Sequence, residues 1–239
     1  MQNSYKSIIR SLLFFGNKVT CPCCGGNFRR FLPMNNRDDV RCPKCESLER
    51  QRSLWLYLKN KTNILADNLK VLHVAPVGPE KIIRNNLEAF PTIVYVGADL
   101  KSSEVPIKMD ITDIKYADNY FDVILCVHVL EHVIDDLKAM KELFRVLKPG
   151  GWAIILAPIG AGLEITLEET DLTDPKKQTE KFGMPGHIRI YGKDYKERLE
   201  KAGFNVKIDT YIRDLGSEIL KKYGMNIEDD MYVCTKANI

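Results

Sequence analysis

The 239-residue sequence lacks the features that define fibrous, disordered and membrane-spanning chains. Its 15 glycines and 11 prolines follow no repeat, and its 45% hydrophobic and 28% charged residues are ordinary for a globular protein, which excludes collagen and disorder. No apolar run approaches the roughly 18 residues of a membrane span. The apolar patch at residues 8–16 is broken by Arg10 and Ser11, with no small-residue cleavage site after it. We therefore expect a cytoplasmic protein with one sizeable and one small domain.

The chain as a whole also lacks a strong excess of one charge: it has 35 Lys and Arg residues and 32 Asp and Glu residues, which gives a net charge of +3. The balance is nevertheless uneven along the chain. Residues 1–60 hold 11 basic and 4 acidic residues, whereas residues 61–239 hold 24 basic and 28 acidic residues. This asymmetry predicts a basic N-terminal module at residues 1–60 and a larger, slightly acidic domain at residues 70–239.

Cysteine is rare in the larger part and concentrated in the module, where five of the seven cysteines lie within the first 45 residues. Without a secretory signal, such clustering indicates metal or redox chemistry before disulfides. Cys21, Cys24, Cys42 and Cys45 read C-x2-C-x17-C-x2-C, a spacing typical of a four-thiolate zinc site. Four thiolates would fill the coordination sphere, so we expect a structural zinc. Reduced thiols or a redox pair are the alternative, and Cys23 could replace Cys21 or Cys24 as a ligand.

The segment between the two cysteine pairs interleaves aromatic and basic residues. Phe28 and Phe31 flank Arg29 and Arg30, a pattern that can hold single-stranded nucleic acid. A module this small also needs an apolar core around its zinc, and Phe28, Phe31 and Leu32 are available for it. We favour the core, which leaves the arginines in solvent.

Two helices are expected in the module. One follows from Ser47, and its apolar residues are too numerous for a free surface, so we expect it to dock the module onto the larger domain; these residues are Leu48, Leu54, Trp55, Tyr57 and Leu58. The leading segment has apolar residues at helical spacing, namely Tyr5, Ile8, Ile9, Leu12 and Leu13. They could lie on a membrane surface, but we favour packing against the same chain or a second subunit, as in a homo-oligomer.

From Lys70 onward, short apolar runs alternate with helical stretches. The runs VLHVA, TIVYVGAD, FDVILCV and WAIILAP have the length and composition of buried strands, and residues 79–90 and 135–147 have helical periodicity. This alternation predicts an α/β domain with a parallel sheet covered by helices on both faces. Ligands of such sheets bind beyond the carboxyl ends of the strands, so polar residues at strand ends are candidates for function.

Two acidic residues occupy such positions. Asp99 ends the second run, where a carboxylate can accept hydrogen bonds from both hydroxyls of a ribose. Asp110 follows a third short strand, where it can accept a hydrogen bond from an amino group such as that of adenine. Either residue could instead be a solvated carboxylate of a turn.

The motifs VLHVAP, GADL, MDITDI, FDVILCVHVLEHV and RVLKPGGW follow one another in this order. They resemble the successive motifs of class I S-adenosylmethionine-dependent methyltransferases, and the resemblance covers residues 70–236. It implies a Rossmann-like, doubly wound sheet of seven strands, methyl transfer, and S-adenosylmethionine as the cofactor. Together with CPCCGGNFRRFLP and RCPKCESLERQR in the module, the motifs resemble a bacterial subgroup of zinc-ribbon methyltransferases associated with cell-surface glycans.

The resemblance also implies which residues bind the cofactor. The implied contacts are Asp99 and Leu100 at the ribose, Asp110 and Ile111 at the adenine, and Cys126 and Val127, with His128, beneath the sulfonium. These residues follow the second, third and fourth strands, in agreement with the positions of the two acids.

The loop after the first strand departs from the family pattern. His73 stands where most members have an acidic residue, and Ala75 to Pro79 replace the glycine-rich loop except for Gly78. Pro79 suits the start of the following helix, whose N-terminus can attract a carboxylate. We therefore expect modified cofactor binding by His73, Ala75 and Gly78. Loss of binding, which would leave a scaffold protein, is the alternative.

The positive sulfur already activates the methyl group, so the protein must hold donor and acceptor in line and, for a hydroxyl acceptor, remove a proton. His128 lies directly after the fourth strand and is the leading candidate for the general base. A structural, hydrogen-bonded histidine is the alternative. We expect His132, with Glu131, to cap or orient the same loop.

Residues 159–192 form the longest stretch without clear periodicity, and long loops in compact domains are often functional. The stretch follows the fifth strand and should lie over the acceptor. His187 and Arg189 complete the predicted catalytic set, with Arg189 holding an anionic or hydroxyl-rich acceptor.

Three functions fit these features. The first is O-methylation of a sugar, or of a phosphoryl-type substituent on one, in the biosynthesis of a capsule or lipopolysaccharide, with a nucleotide sugar or phosphosugar as acceptor. The second is methylation of ribosomal or transfer RNA gripped by the basic module. Against it, no NPPY-like tetrapeptide follows the fourth strand, and the acidic larger part repels a polyanion. The third is a non-catalytic zinc-ribbon partner subunit.

Overall fold

The computed structural model describes residues 2–34, 37–66 and 68–238. Its contacts divide the chain into two compact units. The first unit comprises Met1–Asn68, Pro76–Ile93 and Asp209–Met231, and the second comprises Leu69–Ala75, Val94–Ile208 and Tyr232–Ile239. The first unit thus joins the N-terminal residues with two later segments. The domain ranges 1–60 and 70–239, which follow chain order, stay a prediction.

The described residues form strands and helices that alternate along most of the chain. The strands are β1 (Phe15–Thr20), β2 (Asn27–Phe28), β3 (Leu32–Met34), β4 (Arg37–Arg41), β5 (Leu69–Val74), β6 (Ile93–Asp99), β7 (Ile107–Lys108), β8 (Phe121–Val127), β9 (Leu147–Leu156), β10 (Leu167–Glu168), β11 (Arg189–Ile190), β12 (Asn205–Asp209) and β13 (Met231–Thr235). The α-helices are α1 (Gln2–Leu13), α2 (Glu49–Lys61), α3 (Lys81–Glu88), α4 (Asp136–Val146), α5 (Pro175–Phe182), α6 (Tyr195–Lys201), α7 (Tyr211–Asp214) and α8 (Ser217–Tyr223).

In the first unit, two antiparallel strand pairs accompany the cysteines. β1 pairs with β2, and β3 pairs with β4. Phe28, Phe31 and Leu32 are all buried. Their predicted role as the core of the module is confirmed.

Helix α2 begins at Glu49, close to the predicted start at Ser47. Its predicted apolar residues are buried; they are Leu48, Leu54, Trp55, Tyr57 and Leu58. Arg52 of this helix is also fully buried, with its guanidinium 4.0 Å from the centre of the Phe31 ring. It donates to the main-chain carbonyls of Val40 at 2.9 Å and Ser47 at 2.7 Å. These contacts tie α2 to the hairpin of β3 and β4, whereas its docking onto the larger domain stays a prediction.

Helix α1 confirms the helix predicted for the leading segment, but its apolar side is exposed. The exposed residues are Tyr5, Ile8, Ile9, Leu12 and Leu13. The apolar side of α1 is therefore not covered by the part of the chain that the structure describes, and its packing against a second subunit or its contact with a membrane surface stays a prediction. In the described ranges, none of the helices combines the length and the apolar character of a transmembrane span.

The second unit is built on a seven-stranded sheet with the order β12–β13–β9–β8–β5–β6–β7. β5 is parallel to β8, β8 to β9, and β6 to β7, whereas β13 runs antiparallel to β9. The predicted α/β fold, a Rossmann-like sheet of seven strands, is confirmed. Because the strand order reverses direction between β5 and β8, the carboxyl ends of these strands form a switch point, where ligands of such sheets bind.

Helices α4 and α6 pack against one face of this sheet. Their buried residues share a single apolar cluster with alternate residues of the central strands, in keeping with the two-residue period of a strand. The cluster includes Ala139, Met140 and Leu143 of α4, Tyr195 and Leu199 of α6, Leu72 and Val74 of β5, and Ile124 and Cys126 of β8. The switch point is therefore supported by a rigid core.

The stretch 159–192 contains more regular structure than its sequence indicated, namely β10, α5 and β11. Helix α5 starts after Asp174, whose side chain accepts a hydrogen bond from the main-chain N–H of Lys176, and Pro175 is its first residue. Its last residue is Phe182, and Gly183 caps it with a φ of 80°. These are ordinary helix start and stop signals, but a helix this short shows little periodicity.

Candidate functional site

The four cysteines of the predicted metal site lie together in the first unit. The Sγ atoms of Cys21 and Cys45 are 3.6 Å apart, and those of Cys24 and Cys42 are 3.8 Å apart. All four Sγ atoms lie within 4.8 Å of one another. Zinc–sulfur bonds of about 2.3 Å in a tetrahedron separate the sulfur atoms by about 3.8 Å. The four sulfur atoms therefore have the spacing that a single zinc ion requires.

Two similar turns bring the sulfur atoms together. The Gly25 N–H donates to the Cys21 carbonyl at 2.8 Å, and the Glu46 N–H donates to the Cys42 carbonyl at 3.1 Å. Gly25 and Glu46 occupy equivalent positions in these turns, with φ values of 66° and 63°. Each turn aims both cysteines of its pair at a common point, as the two-residue spacing predicts.

Cys23, the alternative ligand, makes other contacts. Its thiol donates to the main-chain carbonyl of Gln51 at 3.4 Å, and it lies outside the group of four converging sulfur atoms. Its own carbonyl accepts a hydrogen bond from Asn86 at 3.0 Å. The geometry therefore favours Cys21 and Cys24 over Cys23 as metal ligands.

Two residues with strained backbone stand at the switch point of the sheet. Ala75 follows β5 with a φ of 49°, and His128 follows β8 with a φ of 54°. The Ala75 N–H donates to the Ala98 carbonyl at 2.7 Å, and the His128 N–H donates to the Leu156 carbonyl at 2.8 Å. A positive φ costs a residue with a Cβ about 1–3 kcal/mol and is concentrated at functional sites. Ala75 and His128 thus mark the turns where a cofactor is expected.

Both predicted acidic residues keep one carboxylate oxygen free. Asp99 ends β6, and its Oδ1 accepts hydrogen bonds from the main-chain N–H groups of Lys101 at 2.7 Å and Ser102 at 2.5 Å. Asp110 follows β7, and its Oδ1 accepts from the N–H and the hydroxyl of Thr112, each at 2.8 Å. Within the described ranges, neither Oδ2 has a hydrogen-bond partner. These oxygens remain available to a ligand.

The other predicted cofactor residues after the second to fourth strands differ in exposure. Leu100 is exposed, whereas Ile111, Cys126 and Val127 are buried. The Cys126 side chain belongs to the apolar cluster, where burial raises the pKa of its thiol and keeps it neutral. Any contact of Cys126 with a cofactor would therefore use its main chain rather than its sulfur.

His73 and Gly78 occupy different settings. His73 lies within β5, opposite Leu125, and is fully buried, with its Nδ1 2.9 Å from the hydroxyl oxygen of Tyr95. Gly78 starts a short 3-10 helix, Gly78–Glu80, in the first unit. Its φ of 57° is a backbone conformation that favours glycine. Steric crowding is not the reason, because a Cβ at this position would meet no atom within 4 Å. Cofactor contacts of His73 and Gly78 stay predictions.

Three of the four histidines gather around one carboxylate, that of Glu131. The Nδ1 of His128 lies 3.2 Å from Glu131 Oε1, and the Nε2 of His187 lies 4.0 Å from the same oxygen. The ring centres of His132 and His187 are 4.7 Å apart. Burial lowers the pKa of His187 and outweighs the opposite effect of the Glu131 charge, so its imidazole is neutral at neutral pH. The two histidines predicted to be catalytic thus share one carboxylate.

Arg189 is fully buried, and its donors are engaged by the protein itself. The guanidinium donates to the carbonyls of Leu130 at 2.7 Å and Ile134 at 2.9 Å, and to that of Val133. Its Nε donates to the Glu168 carboxylate at 3.1 Å. These bonds fix the segment that carries Glu131, which is a positioning role. The predicted contact of Arg189 with the acceptor stays a prediction.

The sequence placed Glu131 and His132 in the loop but did not reveal that His187 would join them. The available signal was H-x2-E-H at residues 128–132, a spacing that directs three polar side chains to one side of a helical turn. The approach of His187 depends on tertiary structure, because the N–H of Ile188 donates to the carbonyl of Glu131 at 3.0 Å.

Comparisons with known proteins agree with this architecture. Residues 87–155 match the family model of a methyltransferase domain. The ubiquinone/menaquinone biosynthesis C-methyltransferase UbiE of Vibrio campbellii is 40% identical over 94 residues, which are 39% of this chain and 30% of the relative. The UbiE protein of Bdellovibrio bacteriovorus is 45% identical over 47 residues, 20% of each chain. Among solved structures, the 4+2 cyclase SpnF has a TM-score of 0.54 and 17% identity, over 81% of this chain and 84% of that chain.

The chain spans less than a third of the length of these two curated relatives. At 17% identity, the likeness to the cyclase concerns the fold alone. The chain is thus similar to a methyltransferase domain over residues 87–155, and its seven-stranded sheet has a Rossmann-like α/β fold.

Proposed function

We propose that the protein transfers the methyl group of S-adenosylmethionine to an oxygen atom of a sugar, or of a phosphoryl-type substituent on a sugar, in cytoplasmic steps of cell-surface polysaccharide biosynthesis. One observation carries the cofactor assignment: Asp99 and Asp110 each hold Oδ1 in a local turn and leave Oδ2 free at successive strand ends. A ribose offers hydroxyl donors and adenine offers an amino donor, and both need such acceptors.

The remaining cofactor contacts follow from the same strand ends. Leu100 and Ile111 would border the nucleoside, and Val127 with the main chain of Cys126 would lie beneath the sulfonium. Ala75 would approach the methionine part of the cofactor through its left-handed turn. The His73 ring would support the end of β5 through its contact with Tyr95.

The reaction needs alignment and one proton acceptor. S-adenosylmethionine would supply an activated methyl group: a carbon–oxygen bond would form to the acceptor as the carbon–sulfur bond breaks, with the electron pair of the broken bond left on sulfur. The hydroxyl proton passes to His128, whose ring is then stabilised by the Glu131 carboxylate 3.2 Å away. The products are S-adenosylhomocysteine and a methyl ether or ester. Because the sulfur already carries the positive charge, alignment supplies most of the catalysis.

The proposed class of acceptor is supported by the histidines around Glu131 and by the net negative charge of residues 61–239. An imidazole suits a hydroxyl acceptor, since its unprotonated nitrogen can accept the proton that the hydroxyl loses. Residues 61–239 hold 28 acidic against 24 basic residues, which disfavours a nucleic acid in this part of the chain. The resemblance of the cysteine-rich module to that of glycan-modifying methyltransferases supports a sugar or phosphosugar.

The four-cysteine cluster would hold a structural zinc ion through Cys21, Cys24, Cys42 and Cys45. Four thiolates leave no coordination position open, so this ion would stabilise the first unit without entering the reaction. The spacing of the sulfur atoms supports one ion per chain.

Calorimetric titration with S-adenosylmethionine and S-adenosylhomocysteine tests the cofactor site. Loss of hydrogen bonds to a charged carboxylate removes about 1.5–3 kcal/mol, so Asp99→Ala should weaken both ligands by roughly one to two orders of magnitude. Asp113→Ala is the matched control, because its exposed carboxylate pairs with Lys115 at the surface. Equal affinity of Asp99→Ala and the unmodified chain would contradict the assignment. Absence of binding by the unmodified chain would favour a non-catalytic partner subunit.

The acceptor is tested separately, by incubation of nucleotide sugars and phosphorylated sugars with S-adenosylmethionine. Formation of S-adenosylhomocysteine together with a methylated sugar is the expected result. Methylation of added RNA, with salt-sensitive RNA binding and no methylated sugar, would contradict the sugar assignment.

A further inference from the structure

Glu131 presents an unexplained buried oxygen on the acceptor side of the proposed site. The residue is fully buried, and its Oε2 has no hydrogen-bond partner among the residues that the structure describes. An unsatisfied buried polar group costs about 1–3 kcal/mol, and more when it is charged. A metal-ligand type of side chain therefore carries an unsatisfied buried oxygen in this cluster.

Glu131 and two histidines have the spacing of metal ligands. One ligand atom from each of Glu131, His132 and His187 lies within 4.8 Å of the other two. Ligand atoms held about 2.1 Å from one ion lie about 3.0–4.2 Å from each other. Small side-chain rotations would bring the three atoms to that separation.

The hydrogen bond of His132 leaves one ring nitrogen ready to coordinate. Its Nδ1 lies 2.9 Å from the Gly186 carbonyl oxygen, which can only accept, so Nδ1 carries the proton. In the neutral ring, Nε2 then has a free lone pair. A metal-bound histidine commonly donates its other N–H to a carbonyl in this way, which fixes the ring. Gly186 has a φ of 83°, which favours glycine at this point.

Hydrogen bonds join the segment that carries Glu131 and His132 to the segment that carries His187. The N–H of Ile188 donates to the Glu131 carbonyl at 3.0 Å. Arg189 donates to the carbonyls of Leu130 and Ile134, on either side of Glu131 and His132. This pre-organisation is what a metal site requires of its surroundings.

We propose that Glu131, His132 and His187 form a second metal centre, which binds a divalent transition-metal ion such as Mn²⁺, Fe²⁺ or Zn²⁺. Two imidazoles and one carboxylate leave coordination positions open, unlike four thiolates. His128 borders the centre, with its Nδ1 3.2 Å from Glu131 Oε1. An acceptor hydroxyl on the ion would lose its proton to His128 more readily, because a bound cation lowers the pKa of a coordinated oxygen acid. This role rests on the proposed methyl transfer, whereas the binding of the metal does not.

A cleft in the same unit supplies the competing explanation for any bound cation. It has a volume of about 470 Å³ and contains several carboxylates beside Arg198; they are Asp135, Asp136, Glu168, Glu169 and Asp171. Exposed carboxylates can attract divalent cations without forming a specific binding site. The test must therefore separate the histidine cluster from this acidic cleft.

Manganese is a suitable probe, because thiolates prefer zinc whereas carboxylate and imidazole ligands accept Mn²⁺. The full chain, with its cysteine site loaded with zinc, is titrated with Mn²⁺ while electron paramagnetic resonance records the free ion. One equivalent should bind. His132→Asn keeps a donor for the Gly186 carbonyl and removes the ligand nitrogen, and Glu131→Gln keeps the shape but removes the charge. Each should weaken Mn²⁺ binding at least tenfold.

Asp171→Asn is the matched control, since it removes an exposed carboxylate of the cleft, and its Mn²⁺ affinity should equal that of the unmodified chain. Unchanged affinity in both His132→Asn and Glu131→Gln, or loss of binding in Asp171→Asn alone, would overturn the proposal. His132 is exposed, so its variant should fold, and its thermal midpoint verifies this. S-adenosylmethionine affinity without manganese is measured on the same samples, so failure of the cofactor site is distinguished from failure of the metal site.

Discussion

Cys42→Ser tests the zinc site in the first unit most directly. Cys42 is fully buried, and its Sγ lies 3.8 Å from that of Cys24. Zinc contributes about 10–16 kcal/mol to the folding of small zinc modules, whereas burial of a large apolar side chain contributes about 1.5–3 kcal/mol. The hairpins bury four such side chains, Phe28, Phe31, Leu32 and Val40. The contribution of the ion would therefore be similar to that of this core or larger, and its loss should unfold the hairpins.

The assay combines metal analysis with hydrogen exchange. Protein purified without chelator should contain about one zinc per chain, and Cys42→Ser should lose zinc and expose the amides of residues 20–46 to rapid exchange. Cys23→Ser is the control, because a serine hydroxyl can also donate to the Gln51 carbonyl. It should keep its zinc and its amide protection. Less than half an equivalent of metal in the unmodified chain, or zinc loss in Cys23→Ser, would refute the reasoning.

Two buried arginines give further predictions. Arg52→Met should lower the free energy of unfolding by about 3–5 kcal/mol, because it leaves buried carbonyls unpaired. Denaturant titration measures this change, and Arg50→Met is the control, because the Arg50 side chain is 40% exposed. Equal stability of the two variants would contradict the argument. Arg189→Lys should reduce turnover by roughly 10- to 100-fold while S-adenosylmethionine affinity stays nearly constant, because lysine cannot reach three carbonyls in the plane of a guanidinium. Equal losses in turnover and cofactor affinity would indicate general damage to the sheet instead.

The parts of the fold that the sequence predicted are those with local or periodic signals. β5 and β8 were visible as apolar runs because both faces of a central strand are buried. Asp99 stands at the predicted end of its strand, since the position of a strand end depends on nearby residues. The four converging cysteines were predictable for the same reason: a two-residue gap already defines the turn.

Other features depend on contacts between distant parts of the chain and left no such signal. The sequence does not show that Asp209–Met231 belongs to the same compact unit as the cysteine pairs. The exposure of the apolar side of α1 was also unpredictable, because periodicity shows that a helix has an apolar face but not what covers it. Helix α5 had start and stop signals, at Asp174 and Gly183, but too few residues for a periodic pattern.

The burial of Arg189 explains why the acceptor side cannot be derived from the loop sequence alone. Leu130–His132 form a short 3-10 turn that ends before α4 begins at Asp136, so the carbonyls of Val133 and Ile134 lie between the two helices, without the partners of a continuing helix. The Arg189 guanidinium supplies those partners and places His187, two residues away, beside Glu131. The position of the Glu131 carboxylate is therefore determined from outside its own segment. A buried guanidinium is stabilised only when its donors are all satisfied, so this arrangement requires both segments to be in place. The cluster around Glu131 is thus a product of the folded second unit, whereas the four-cysteine site arises from two local turns.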